Sequence, residues 1–188
     1  IAGEISSIVV ADLTSRGLFR EIPRNRFIAQ RKTFEEPVRF PDWRAVNAQA
    51  LVTAAVNTSG SGQLTVKFRI FDIFSGVQLG KGTQLSGSTG AARRMAHQVA
   101  DQVYKRITGE GAYFDSRIVF VSESGPKDKR LKRLAIMDSD GEKMKFLTGN
   151  DNIALGQKAM LALTSGICNV AIGTNALGAS TTGCNNIA

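Results

Sequence analysis

Histidine is almost missing from this 188-residue sequence, where His97 is the only one. A proton relay or a histidine-ligated metal would therefore have to be built from other groups, and no triad can be completed around it. His97 lies between Ala96 and Gln98, off the strongest apolar stripe of its helical pattern, so it is expected at the surface or boundary rather than as a general base. Cysteine is nearly as scarce: Cys168 and Cys184 lie close to one end, with neither metal-site spacing nor a nearby histidine. Two small buried or free thiols are the favoured reading. A disulfide is chemically allowed in an oxidising compartment, but sequence does not say whether the two backbones come within bridging distance. No apolar run approaches the roughly 20 residues that cross a bilayer, so no membrane insertion is expected. No cofactor or metal pattern is present, and no catalytic residue is assigned.

Acidic groups are outnumbered, with 16 Asp and Glu against 24 Lys and Arg, a net charge of +8. Such a balance raises the question of polyanions. The bases gather in two places, from Arg16 through Arg20, Arg24, Arg26, Arg31 and Lys32, and at Lys127, Lys129, Arg130, Lys132 and Arg133, with Asp128 among them. Carboxylates interrupt or flank both groups, and neither contains an aromatic platform or a glycine-rich phosphate loop. A solvated face or an acidic protein partner is favoured over specific nucleic-acid reading. Hydrophobic content of 43% with 21% charged residues argues for a folded chain of one domain, or one domain with an appendage.

Ile5, Ile8, Val9 and Leu13 repeat at helical spacing before Gly17, which predicts an amphipathic helix. From Leu18 to Phe40 the pattern is irregular, with Pro23 and Pro37 as breakers. Phe19, Ile22, Phe27 and Phe34 are expected to pin this connection down. Pro41-Asp42-Trp43 opens a short helix through Ala48, with Trp43 packed on the sheet. The run Ala50–Val56 reads as a buried strand. Leu64, Val66, Phe68 and Ile70 alternate with Thr65, Lys67 and Arg69 as a half-buried strand, and Ser75-Gly76 turns the chain toward a return strand near Val77 and Leu79. Ser88 or Thr89 is placed as the cap of a second helix carrying Ala92, Met95, Ala96, Val99, Val103 and Ile107, which Gly109 ends. The expected core is Ile5, Leu13, Leu51, Val66, Phe68, Val99 and Val103.

After Arg117 come three short strands, Ile118–Val121, Leu134–Met137 and Met144–Leu147. The clusters Ser122-Glu123-Ser124-Gly125 and Asp138-Ser139-Asp140-Gly141 read as ordinary turns, the second falling short of a calcium loop. The last stretch repeats: Asn152-Ile153-Ala154-Leu155-Gly156 returns as Asn169-Val170-Ala171-Ile172-Gly173 and begins again at Asn186-Ile187-Ala188. Strand-turn units of this kind suit a stacked solenoid, with small residues where coils crowd and polar Asn and Gly at corners. A flexible Gly and Ala tail is the competing reading.

Several motifs, in order, carry a family resemblance. Ser7-Ile8-Val9-Val10-Ala11-Asp12-Leu13 with Ser15-Arg16-Gly17-Leu18-Phe19, and Asp42-Trp43-Arg44-Ala45 leading to Ala50-Leu51-Val52-Thr53, resemble the TolB amino-terminal domain. Phe71-Asp72-Ile73-Phe74-Ser75-Gly76, Tyr104-Lys105-Arg106-Ile107-Thr108-Gly109 and Gly111-Ala112-Tyr113-Phe114-Asp115-Ser116-Arg117-Ile118 extend it. Lys132-Arg133-Leu134-Ala135-Ile136-Met137-Asp138 with Asp140-Gly141 resembles the first blade of that family's six-bladed propeller. The repeat over about Asn150 to Ala188 resembles the left-handed rolls of trimeric autotransporter heads and phage tail fibres.

The resemblance implies an α/β (α+β) fold: a small mixed sheet packed with two main helices, then an incomplete propeller blade, then a short solenoid-like or flexible repeat tail. The domains expected are 1–112, 113–149 and 150–188. It also implies a non-catalytic periplasmic scaffold of the Tol-Pal system, serving envelope integrity and outer-membrane constriction during division. The implied partners are Pal and the inner-membrane Tol proteins, TolA among them. The family's first strand, its TolA-contacting segment and most of its Pal-binding propeller have no counterpart in these residues, so no contact residue is carried over and partner-binding residues are unknown. A truncated gene, a natural fusion and a joined sequence are all open. The alternative is a structural or adhesive fibre protein acting through the repeats, with a possible homotrimer through the tail.

Overall fold

The computed structural model of the chain describes residues 1–28, 33–111, 113–127, 129–147, 152–163 and 166–188, in two units, Ile1–Asp115 and Ser116–Ala188. Arg31, Lys32 and Asp128 of the basic clusters, and the junction at 149–151, lie outside the described residues.

In the first unit, α1 (Ala2–Thr14) follows the predicted stripe and ends before Gly17, whose φ of 71° reverses the chain. The connection that follows holds one 3-10 turn, Arg24–Arg26. Its aromatic residues anchor it as expected. Phe19 tilts against Tyr104 at 6.0 Å, Phe27 meets Trp43 edge-on at 4.9 Å, and Arg69 stacks 4.2 Å over Phe34. Helix α2 (Phe40–Ala45) stops three residues short of Ala48, because Asn47 enters the left-handed region at φ 58° and breaks the helical run.

Four strands then build one sheet: β1 (Ala50–Thr58), β2 (Gln63–Asp72), β3 (Val77–Gln78) and β4 (Thr83–Ser88). β2 is central, paired with β1 on one side and with β3 and β4 on the other. Where a mixed sheet is expected, all these pairings are antiparallel, since each of these strands follows a turn or short loop and a parallel pair would need a long crossover. The run Ala50–Val56, expected to be buried, is half-buried with Ala50 and Ala54 exposed, because β1 is an edge strand among the described residues.

Leu64, Val66, Phe68 and Ile70 of β2 are fully buried on one face. Onto that face pack Ile5 of α1 and Ala92, Met95, Ala96, Val99 and Val103 of α3 (Ala92–Thr108), with Leu13 half-buried beside them. Leu51, expected in the same core, packs elsewhere, in a second cluster with Trp43, Phe71 and Ile73. The period of two explains the change: Leu51 lies opposite Phe71, one position out of step with Ile70 and Val52, and so faces the other way. Neither Ser88 nor Thr89 caps α3 through its side chain. A 3-10 turn, Thr89–Ala91, intervenes and Ala91 is the N-cap. Gly109 ends the helix with φ 80°, as expected.

In the second unit, β5 (Arg117–Ser124), β6 (Leu131–Asp138) and β7 (Lys145–Phe146) form the antiparallel meander read from sequence. The 17-residue repeat forms a coil. β8 (Ile153–Leu155) and β9 (Val170–Ile172) pair in parallel with Ile153 opposite Val170, and Val170 bridges in turn to Ile187. Asparagine, expected at corners, runs up the inside instead. Asn152 and Asn169 are buried, and the Asn169 backbone N–H and Nδ2 each donate to Asn152 Oδ1 at 2.9 Å. Asn186 repeats both bonds to Asn169 Oδ1, again at 2.9 Å. The ladder satisfies amides that would otherwise be costly to bury. Gly156 is needed for the stacking: its φ is 136°, and a Cβ there would collide with the Gly173 carbonyl of the next coil.

Two outcomes follow. Phe68→Ala should cost about 3–5 kcal/mol of unit stability by opening a cavity under both helices, read by guanidinium unfolding with Trp43, the only tryptophan, as the fluorescent reporter. Gly156→Ala should speed amide hydrogen exchange at Ile153, Val170 and Ile172 while leaving the Trp43 transition in place.

Candidate functional site

Two features of the first unit stand apart from ordinary packing. One is the free side of β1. Among the described residues no strand pairs with this edge, and residues 50–56 line an open groove whose other walls include Phe19, Ile22, Phe27 and Trp43, with Arg20 and Arg24 alongside. Unpaired backbone N–H and C=O groups along a strand edge, next to aromatic side chains, can accept an extended peptide by strand addition.

Two arginines brace turns beside this groove, and Arg106 is also among its lining residues. Arg44 of α2 donates from Nε to the Ile73 carbonyl at 2.9 Å and from Nη2 to that of Phe74 at 3.1 Å. Arg106 of α3 donates from Nη1 to the Lys81 carbonyl at 2.8 Å and from Nη2 to Thr83 Oγ1 at 2.6 Å. These two bases act as clamps on turns. Asp72 closes the turn after β2, accepting from the Phe74 N–H at 2.8 Å and the Ser75 N–H at 3.2 Å. The Ser75 N–H chiefly holds the Asp72 carboxyl below its ordinary range; desolvation opposes it, and the Phe74 N–H adds a smaller lowering effect.

The second feature is buried. His97 Nδ1 and Asp12 Oδ2 lie 2.7 Å apart between α3 and α1, both side chains sealed from water. The surface or boundary placement of His97 is therefore corrected. α3 is buried along two stripes: Met95, Val99 and Val103 meet the sheet, while Ala100 and Tyr104 join Phe114 and the half-buried Val9, Leu13 and Phe19 in a separate cluster. His97, three residues before Ala100 and seven before Tyr104, continues the second stripe. Asp12, seven residues after Ile5, lies on the buried face of α1 by the same arithmetic, a signal available in the sequence and missed. The nearby hydroxyls of Thr14 and Ser15 donate back to Val10 and Asp12 carbonyls of their own helix, each at 2.7 Å. A sealed pair of this kind ties two helices together.

The other sequence-marked residues fall into structural roles. Trp43 is buried in the second cluster as expected. Glu123 on β5 pairs with Arg130 at 2.7 Å and Lys132 at 3.1 Å, and the Arg130 hydrogen bond, then that of Lys132, lowers its pKa. Arg133 stacks 3.6 Å over Phe146. Three bases of the denser cluster are thus engaged within the meander. The Asp138–Gly141 segment is a turn, with the Gly141 N–H donating to the Asp138 carbonyl at 2.9 Å. Cys168 and Cys184 are free and exposed on the coil.

A helix-backed antiparallel sheet, followed by an antiparallel meander and a parallel coil, defines the class as α+β with β-rich appendages. The family model of the TolB amino-terminal domain matches residues 1–79. Over 157 residues, 84% of its length, the chain is 54% identical to the Tol-Pal system protein TolB of Jannaschia sp. (strain CCS1) and 55% identical to that of Dinoroseobacter shibae. The same-named protein of Paramagnetospirillum magneticum is 44% identical over 155 residues. The chain spans about a third of these relatives, 35%, 35% and 34% of their lengths. The crystal structure of TolB from Acinetobacter baumannii shares the fold at a TM-score of 0.67 with 23% identity, over 81% of this chain and 38% of that one.

Removing either member of the buried pair takes a short hydrogen bond from a side chain that lies away from water. Asp12→Ala and His97→Ala should each cost about 2–4 kcal/mol, with a double mutant costing less than the sum; a double-mutant cycle on the Trp43 transition checks this. Acid acts at Asp72 through its lowered pKa. The stability it contributes is present above its unfolded-state pKa and lost as pH falls through the lower folded-state value, so the Trp43 unfolding midpoint should decline from about pH 4 downward. Asp72→Asn should flatten that decline.

Proposed function

We propose that the chain is a periplasmic component of the Tol-Pal system that works by binding proteins, with Pal and TolA as the partners of the whole assembly and no reaction of its own. In this reading residues 1–112 are the amino-terminal domain, 113–149 the start of a propeller blade, and 150–188 an appended roll. The observation that carries it is the 54–55% identity to Tol-Pal system proteins TolB over 157 residues. The open edge of β1 supports protein binding, because it offers a peptide both backbone hydrogen bonds and apolar pockets.

A second reading, a fibre-type or adhesive role for the coil, draws on one observation. Along β8 and β9 the small Ala171 points inward while Ile153, Leu155 and Ile172 point outward and stay largely exposed. That inverts the usual burial pattern and suits packing against further copies of the same coil, as in a homotrimer.

One experiment separates the two. The immobilised full chain is offered purified TolA and Pal, and its mass in solution is measured in parallel. A monomer that retains a Tol-Pal component upholds the first reading. A trimer that retains neither upholds the second, and strong retention of Pal would overturn the placement of the Pal surface in the part of the propeller that this chain does not share.

A further inference from the structure

The repeat places the two thiols side by side. Two contacts set the register of the last coil on the one beneath it: Val170 bridges Ile187, and the Ala188 N–H donates to the Val170 carbonyl at 2.9 Å. The same 18-residue step recurs where the Asn185 N–H donates to the Ile167 carbonyl at 3.1 Å. Ile167 is therefore opposite Cys184, and Cys168 is opposite Asn185. Backbone geometry agrees, since Cys168 and Asn185 share a left-handed φ of 56° at the same corner of successive coils. Cys184 is thus the diagonal neighbour of Cys168, one rung up and one residue along. With rungs about 4.8 Å apart and a step of about 3.8 Å, their Cα atoms are separated by roughly 6 Å, inside the span of a disulfide.

Direction matters as much as distance. Inside the corner are Asn169 and Gly166, both buried, and the Gly183 carbonyl, which accepts from Asn169 Nδ2 at 2.6 Å. Both cysteines face outward and are exposed to solvent. Both thiols are open to a solvent-borne oxidant, and the Cys184 thiol donates weakly to the Thr182 carbonyl at 3.7 Å, an exposed contact.

We propose that Cys168 and Cys184 form an oxidisable dithiol site whose disulfide staples the last coil to the one beneath it. The oxidant is a low-molecular-weight disulfide such as oxidised glutathione. One cysteine thiolate attacks a sulfur of the oxidant, breaking its S–S bond and releasing one glutathione thiolate. The second cysteine thiolate then attacks the protein sulfur of the mixed disulfide and releases the second. The protein loses two electrons and two thiol protons, and the glutathione disulfide is reduced to two thiols.

The test uses the full chain equilibrated with oxidised and reduced glutathione, trapped by alkylation and cut with trypsin. Both cysteines fall in one peptide, residues 159–188, which contains no Lys or Arg. The expected product is that peptide unalkylated and lighter by two hydrogen atoms than its reduced form, from protein that runs as a monomer on a non-reducing gel. Alignment by the coil should raise the equilibrium constant for this product at least about tenfold over the same chain in guanidinium. Cys168→Ser should leave a glutathione adduct on Cys184. Equal constants in folded and unfolded chain, a disulfide between two copies, or stable mixed disulfides at both positions would each overturn the proposal.

Discussion

The first unit depends on the burial of one face of one strand. Leu64, Val66, Phe68 and Ile70 supply an unbroken apolar row in the middle of the sheet, and both long helices are held by it. α1 and α3 have no sheet of their own to lean on, and α1 is too short to persist alone in water. Removing the row would leave two amphipathic helices with nothing to cover. The Asp12–His97 contact, the Arg106 clamp and the Phe19–Tyr104 contact all presuppose that α3 is already seated there.

The edge strand is the other side of that arrangement. Among the described residues β1 pairs with β2 and no other strand, at nine positions, and its outer backbone faces a groove walled by the aromatic connection. The same residues that pin the connection, Phe19, Ile22 and Phe27, make the groove apolar. The side chains that anchor the connection are therefore also those that wall the groove, and Arg44 and Arg106 brace the adjoining turns.

The coil follows a different rule. Its inside is polar and small, and it is ordered by amide ladders at 17-residue spacing rather than by large buried side chains. The ladder places Cys168 beside Cys184 as a by-product of stacking. Outward isoleucine and leucine give the same coil an apolar exterior. The identity to the TolB relative from Jannaschia covers 84% of the chain.

Local pattern alone determined much of this protein. The stripes of α1 and α3, the alternation of β2, the turn at Ser75-Gly76, the stop at Gly109 and the 17-residue period were legible because helix, strand and repeat each have a fixed spacing that side chains must follow. The ordered motifs also carried the resemblance to the TolB amino-terminal domain, whose family model matches residues 1–79. Tertiary structure decided what spacing leaves open. Whether Ala50–Val56 is a central or an edge strand depends on its partners, not its residues. His97 and Asp12 belong inside because a second helix covers them, and a helix read alone shows only one favoured face. Asparagine moved from corner to interior, and two cysteines sixteen residues apart became neighbours, because stacking converts distance along the chain into register between coils.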